Sequence, residues 1–286
     1  MSNVDREMEM TAARDIVRVH VASINTRSAT ELCIRSMRRY AGARFELTVG
    51  DGLSTDGSLD ILRRFERRGW LDLEVALGDE PRMHGEWLDL WLRTCPNRYC
   101  VFCDSDVEFL GEDWLADMLT LMNDTGCALV CAQFTPANSE YVHPVYDTPI
   151  QLGARPSPWL MLLDLEQVRD MPTSFLFHEE PATDTKPSTA YDVGGDFFRT
   201  LVDRELIWHA MPEPWLRKVH HFGGMSWGLP GGGGNPAFLK DAPQPKWVSR
   251  VRISGAQLKK RAIVRGRLER QRITSVRMDP RARSKP

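Results

Sequence analysis

Tyr99-Cys100-Val101-Phe102-Cys103-Asp104-Ser105-Asp106 is a run of five apolar residues followed at once by two carboxylates one position apart. A short continuous apolar run of this kind reads as a strand buried on both faces, as parallel sheets contain. Its abrupt stop at Asp104 places polar side chains at the carboxyl end of the strand, where open α/β sheets bind ligands. Two carboxylates in such a turn suit a hard divalent cation that also holds a diphosphate. Cys100 and Cys103 have the spacing of a metal or redox pair. Positions three apart in a strand point to opposite faces, however, so buried, reduced thiols are expected.

Outward from this strand the first two-thirds of the chain alternates apolar runs with helical patterns, the signature of a mostly parallel α/β sheet. Val17, Val19 and Val21 mark a first strand over 16–24. A helix follows, with Ser28 and Glu31 at capping-box spacing and an apolar face of Leu32, Cys33, Met37 and Tyr40. Further strands are expected over 45–49, 71–75, 128–131 and 159–163. Helices are expected over 86–92 and 113–122, with another carrying Leu59, Leu62 and Phe65 on one face. Asp164 is placed to cap a short helix, and 192–202 has helical character. The stretches 136–158 and 172–186 read as irregular, and Gly228–Pro236, with four consecutive glycines, as a flexible loop.

The bulk properties fit one large domain or one domain with an appended tail: 286 residues, 42% hydrophobic and 27% charged. No apolar run approaches the length of a membrane span, and the first fifteen residues have no signal-peptide character, so a cytoplasmic location is expected. Charge is unevenly spread. Of 37 basic and 39 acidic residues, 14 and 2 lie in 246–286, which leaves 23 and 37 in the preceding 245. Such a tail seeks phosphates or acidic surfaces, or folds back on its own acidic body. The expected division is a polar segment 1–15, a domain 16–240 and a basic extension 241–286.

Other residues carry chemistry. Asp51-Gly52-Leu53-Ser54-Thr55-Asp56-Gly57-Ser58 follows the second strand, with Asp51 able to accept hydrogen bonds from a base or ribose and Asp56 placed to cap the next helix. Tyr191-Asp192-Val193-Gly194 opens a helix, with Asp196 one turn on. His220 and His221 stand beside Gly223-Gly224. Trp159, Trp215 and Trp227 are candidates for stacking on a sugar.

Taken in order, Val19–Asn25, the Ser-Thr-Asp-Gly-Ser segment at 54–58 and Asp104–Asp106 resemble the inverting family two of glycosyltransferases, over roughly 17–109 and more loosely 191–227. The resemblance implies the GT-A fold, Rossmann-like with a mostly parallel sheet and flanking helices. It implies transfer of a sugar from a UDP-, GDP- or dTDP-linked donor to an acceptor hydroxyl with Mn²⁺ or Mg²⁺ as cofactor. By the same resemblance Ala22, Ser23, Asn25 and Asp51 line the nucleotide pocket, and Arg82, His84 and Gly85 cross the donor ribose and phosphates. Asp104 and Ser105 meet the donor, with Asp104 on the ribose or the ion. Asp106 and His221 (or His220) hold the metal. Asp192, with Asp196 as competitor, is the general base that takes the hydroxyl proton.

Two other classes remain. A nucleotidyltransferase uses a related sheet and metal pair but carries a glycine-rich basic loop after its first strand, which Ala22–Arg27 lacks. A binding module would keep the nucleotide pocket and dock through the basic tail. Nucleic acid is disfavoured as its partner, because Trp247 is the tail's single aromatic. Leu258, Ile263, Val264 and Leu268 give the tail partial amphipathic character, which suits a membrane surface or a protein partner, and an oligomer is compatible with it.

Overall fold

The alternating pattern is realised in a computed structural model of the chain, which describes residues 16–78, 81–142, 149–181, 183, 189–223, 225 and 258–272. Chain order begins β1 (Val17–Ser23), α1 (Arg27–Tyr40), β2 (Phe45–Asp51), α2 (Ser58–Glu66), β3 (Asp72–Val75), α3 (His84–Thr94) and β4 (Tyr99–Asp104). It continues through β5 (Val107–Phe109), α4 (Trp114–Thr125), β6 (Leu129–Cys131), β7 (Phe134–Thr135), β8 (Asn138–Val142), β9 (Pro149–Leu152) and β10 (Arg155–Pro156). Then come β11 (Leu160–Asp164), α5 (Leu165–Val168), β12 (His178–Glu180), β13 (Thr189–Tyr191), α6 (Gly195–Asp203), β14 (Trp208–Ala210), α7 (Glu213–Leu216) and β15 (Val219–His221). A last helix, α8, spans 258–272.

Seven strands form the central sheet in the order β14-β6-β11-β4-β1-β2-β3. β3, β2, β1 and β4 run parallel. β11 opposes both β4 and β6, and β14 runs with β6, so β11 is the reversed member of a mostly parallel sheet. The register aligns three carboxyl ends: Ala22 lies beside Asp104 on one side of β1, and Ser23 beside Asp51 on the other.

Both sheet faces are buried, and alternation along the strands sorts side chains between them. Val17, Val19, Val21, Val101 and Cys103 face one core with Cys33, Ile34 and Met37 of α1, Ile61, Leu62 and Phe65 of α2, and Trp114 and Met118 of α4. Cys100 and Phe102 face the other, against Trp87 and Trp91 of α3, Leu165 and Val168 of α5 and Phe197 of α6. Cys100 and Cys103 therefore belong to opposite cores, and all six cysteines are free and buried. Cys100 does approach Cys95 and His20, whose ligand-type atoms lie within 4.8 Å of one another inside the apolar interior.

Several local expectations are corrected. Ser28 and Glu31 form no capping box. Thr26 occupies the N-cap with its side chain engaged elsewhere, and buried Glu31 pairs with Arg35 and Arg272. On α2 the buried face is Ile61, Leu62 and Phe65, with Leu59 only half-buried. The stretch read as irregular over 136–158 contributes β8, β9 and β10, and 172–186 contributes β12. Asp164 does cap α5, accepting the Glu166 N–H at 3.2 Å. In α8, Val264 and Leu268 pack against Ala29, Leu32, Phe222 and Met225, whereas Leu258 and Ile263 face outward. The four tail apolars thus do not share one face, and α8 folds back on the acidic body. No described helix is long and apolar enough to cross a membrane. The expectations for 1–15, for Trp227, Trp247 and the loop Gly228–Pro236, and for the rest of 241–286 apart from α8 fall outside the described residues.

Phe102 is fully buried between Trp91, His20 and Phe175, so Phe102→Ala leaves a cavity at the sheet centre. The expected loss is about 3–5 kcal/mol of unfolding free energy, measured by urea titration.

Candidate functional site

At the tip of β4 the chain turns through Asp104, Ser105 and Asp106 into β5, and β15 pairs with β5 so that His221 faces Val107. Alternation along β15 turns His221 inward and leaves His220 exposed, its ring edge-on to Phe222. The His221 Nε2 lies 3.1 Å from Asp106 Oδ1 and 3.4 Å from Asp104 Oδ2. His84, the first residue of α3, places Nε2 at 3.0 Å from Asp104 Oδ1. Asp104, Asp106 and His221 offer ligand atoms within 4.8 Å of one another, a donor set able to hold a metal ion.

Backbone and aromatic contacts hold this cluster. The Met225 N–H donates to Asp106 Oδ2 at 3.1 Å, and the Phe222 N–H to the Asp106 carbonyl at 3.0 Å. Asp104 N–H donates to the Trp159 carbonyl, and the Trp159 ring stacks on His221 with centroids 4.9 Å apart. Trp159, a candidate sugar platform by sequence, thus backs the histidine, while Trp215 packs on the core. Below the turn, Thr26 Oγ1 bonds Ser105 Oγ at 2.8 Å and Thr30 Oγ1 at 2.9 Å, and Ser23 bonds Thr30 at 3.0 Å. The hydroxyls of Ser23 and Ser105 therefore tie the ends of β1 and β4 together through the start of α1.

The electrostatics follow from burying two carboxylates side by side. Burial disfavours the Asp104 anion, yet His84 and His221 outweigh it and hold this carboxyl well below the usual carboxylate range. Burial likewise opposes charge on His221, but Asp104 and Asp106 raise it to about 9. His84 is raised against its own burial, chiefly by Asp104, with Asp192 and Asp106 adding to the field.

A cleft of about 140 Å³ opens here, lined by Ala22, Ser23, Arg82, His84, Asp104 and Asp106 among others. Arg82 lies over the Trp87 ring at 4.6 Å. Asp51 is fully buried beside Ser23. Its Oδ1 accepts the Ser54 N–H at 2.7 Å, its Oδ2 has no partner among the described residues, and burial pushes its carboxyl up. Asp51, Asn25, Gly85, Asp192 and His221 from the sequence expectation are not among the side chains that line the cleft. Asn25 adopts a left-handed conformation with its Oδ1 accepting the Thr55 N–H at 2.7 Å, which braces the loop after β2. Gly85 packs against residue 175: an added Cβ would stand 2.6 Å from the Phe175 carbonyl oxygen.

Asp192 precedes the helix it was expected to open. Its carbonyl accepts the Gly195 N–H, and α6 starts after Gly194 at φ 86°. Its Oδ2 pairs with Arg155 Nη2 at 2.9 Å, and the side chain is 32% exposed. Asp196 instead accepts from Thr173, Ser174 and Arg199, a carboxylate engaged on every side. Asp56 bridges two helix starts, accepting the Arg27 N–H at 2.9 Å and the Ser58 N–H at 3.0 Å. Sequence reasoning missed Thr26, Arg155 and Met225. Thr26 borders the Ala22–Asn25 motif and was within reach, whereas nothing local marks the other two.

The raised His221 value has a testable sign. In metal-free protein the imidazolium–carboxylate contacts stabilise the fold fully below the ordinary imidazole value of 6.5, and this stabilisation is lost as pH rises through about 9. In EDTA, the stability lead of wild type over His221→Gln is expected to be largest below pH 6.5 and to shrink toward pH 9. A lead constant across that span in thermal unfolding contradicts the pairing.

Comparison with known proteins follows the geometry. No curated protein matches the sequence. Among solved structures, the chain is similar to the mannosyltransferase PcManGT from Pyrobaculum calidifontis in complex with GDP-Man and Mn²⁺, at 19% identity and TM-score 0.48, over 70% of this chain and 55% of that one. It is similar to residues 1–349 of S. aureus TarS in complex with UDP-GlcNAc, at 16% identity and TM-score 0.42, over 62% and 58%. It is also similar to glucosyl-3-phosphoglycerate synthase from Mycobacterium tuberculosis in complex with phosphoglyceric acid, at 18% identity and TM-score 0.46, over 73% and 74%. The chain thus spans little more than half the length of the first two. The family model described as glycosyl transferase family 2 matches residues 19–180, more than half of the sequence, and the chain belongs to that family of glycosyltransferases.

Proposed function

We propose that the chain transfers a sugar from a nucleoside diphosphate donor to an acceptor hydroxyl by a metal-dependent displacement that inverts the anomeric carbon. The observation that carries this reading is the convergence of Asp104, Asp106 and His221 at the sheet's carboxyl edge, on the rim of a cleft that also holds Arg82 and His84. Two carboxylates and one imidazole form a mixed oxygen and nitrogen set that fits Mn²⁺, and Mg²⁺ with water completing its shell. When bound, the cation supplies positive charge against the negative charge that gathers on the departing diphosphate.

The chain's own residues do the rest. The Oδ2 of Asp51, without a partner among the described residues, is an acceptor for a nucleobase or ribose donor, since a buried oxygen left unsatisfied costs about 1–3 kcal/mol. Ala22 and Ser23 form the floor between Asp51 and Asp104, and Asp104 reaches the ribose or the ion. Arg82 and His84 flank the phosphates as cations. Ser105 and Asn25 hold the turn and the loop in place, and Gly85 lets α3 approach closely enough to present His84. Asp192 is the base: Arg155 holds its Oδ2, the Val193 N–H donates to its Oδ1 at 2.8 Å, and its partial exposure leaves it open to an acceptor hydroxyl. Displacement with inversion puts that carboxylate on the acceptor side, opposite the leaving diphosphate, where it takes the hydroxyl proton.

Thermal-shift measurements with UDP, GDP and dTDP, with and without Mn²⁺, test donor binding, because a ligand specific for the native state raises its stability. One nucleotide is expected to stabilise the chain more with Mn²⁺ than without, and Asp106→Ala to remove the Mn²⁺-dependent part while remaining folded. An Asp106→Ala chain with normal metal dependence contradicts the assignment, as does release of pyrophosphate in place of nucleoside diphosphate. Asp192→Asn is expected to lower turnover by about 10²–10⁴-fold while leaving the nucleotide shift intact.

A further inference from the structure

Behind the donor cleft, between the first turns of α1 and α2 and the inner side of α8, lies a second and larger cavity of about 380 Å³. Its volume is in the range of small-molecule sites. Thr26 lines both cavities and separates them, while Arg82, His84, Asp104 and Asp106 face only the donor side.

The charges around this cavity do not cancel locally. Glu31 is already neutralised by Arg35 and Arg272, and Glu269 by Arg272. Asp56 has both oxygens on N–H groups at the starts of α1 and α2. With Arg35 included, five arginines meet three carboxylates around the cavity, and Arg27, Arg261 and Arg265 are the ones whose guanidinium groups are not paired among the described residues. All three line the cavity, and their side chains have no hydrogen-bond or ion-pair partner among the described residues. The Nε of Arg261 is buried with no partner among the described residues. The α1 start adds the partial positive charge of a helix N-terminus. Guanidinium groups present planar forks of donors that match the oxygens of a phosphoryl group, and three from two separate elements can surround one tetrahedral anion.

We propose that this cavity binds a phosphate-bearing ligand at a site separate from the donor diphosphate. The occupant's recognised part is a phosphate ester, carried either by a soluble molecule or by an anionic lipid headgroup. In either case α8, the described helix of the basic tail, forms one wall of a binding site.

The test uses the full chain in EDTA, which removes metal-dependent binding at the donor cleft and keeps the outcome independent of the catalytic reading. Inorganic phosphate and glycerol 3-phosphate are titrated against chloride at equal ionic strength, with thermal unfolding and calorimetry as readouts. Saturable stabilisation by phosphate is expected. Arg261→Gln combined with Arg265→Gln is expected to weaken it about tenfold or more, since hydrogen bonds to charged groups are the strong ones. Arg27→Gln, on a different element, is expected to weaken it as well, which guards against a local disturbance of α8. Lys259→Gln, which removes the same charge outside the cavity, is expected to leave it unchanged. Flotation with phosphatidylglycerol and phosphatidylcholine vesicles separates the two sources. Binding to phosphatidylglycerol that phosphate displaces assigns the headgroup, and saturation by glycerol 3-phosphate without flotation assigns a soluble ester. No stabilisation beyond chloride, or equal weakening by Lys259→Gln, overturns the proposal.

Discussion

Two carboxylates held one residue apart at the end of a buried strand repel each other, and the turn after β4 exists in this form because cations are delivered to it from elsewhere in the chain. His84 arrives at the first turn of α3 and His221 at the end of β15, each within 3.4 Å of a carboxylate oxygen. The exchange is mutual: the aspartates raise both imidazoles and the imidazoles hold Asp104 ionised. It also links the first half of the sheet to segments more than a hundred residues later.

The parallel register supplies the second condition. Because β1, β2 and β4 end level, the backbone at Ala22 and Ser23 lies between Asp51 and Asp104, and a ligand can span the three strand ends. The hydroxyl cluster of Ser23, Thr26, Thr30 and Ser105 keeps these ends together without charge. The glycosyl transferase family 2 match covers this half of the chain, whereas His221 lies beyond it.

That later part is secured by α8. Val264 and Leu268 pack with Phe222 and Met225, Lys260 donates to the Gly223 carbonyl at 2.6 Å, and Arg267 pairs with Glu108 on β5. The strap that carries His221 and caps Asp106 is therefore held from outside by the basic tail. Arg272 on buried Glu31 anchors the same helix to α1. A tail that reads as an appendage by composition acts as a clamp on the site.

The sequence alone determined the sheet, its flanking helices and the chemical character of the strand tip. Apolar runs with period two or 3.6 are local facts, and so is a carboxylate pair that follows a buried run. The place of Asp104 at the end of the buried strand and the opposite facing of Cys100 and Cys103 were legible on that basis. The sequence could not rank His221 over His220, because strand alternation separates the two only once β15 is paired with β5. Nor could it show that Asp192 is held by Arg155 while Asp196 is enclosed by Thr173, Ser174 and Arg199, since those partners meet only through folding. The short strands over 138–156 escaped it because few residues each leave no periodicity to read. Only the tertiary structure decided which charges meet. Pairing energy depends on distances of a few ångströms between groups far apart in the chain, and no spacing along the chain encodes those distances.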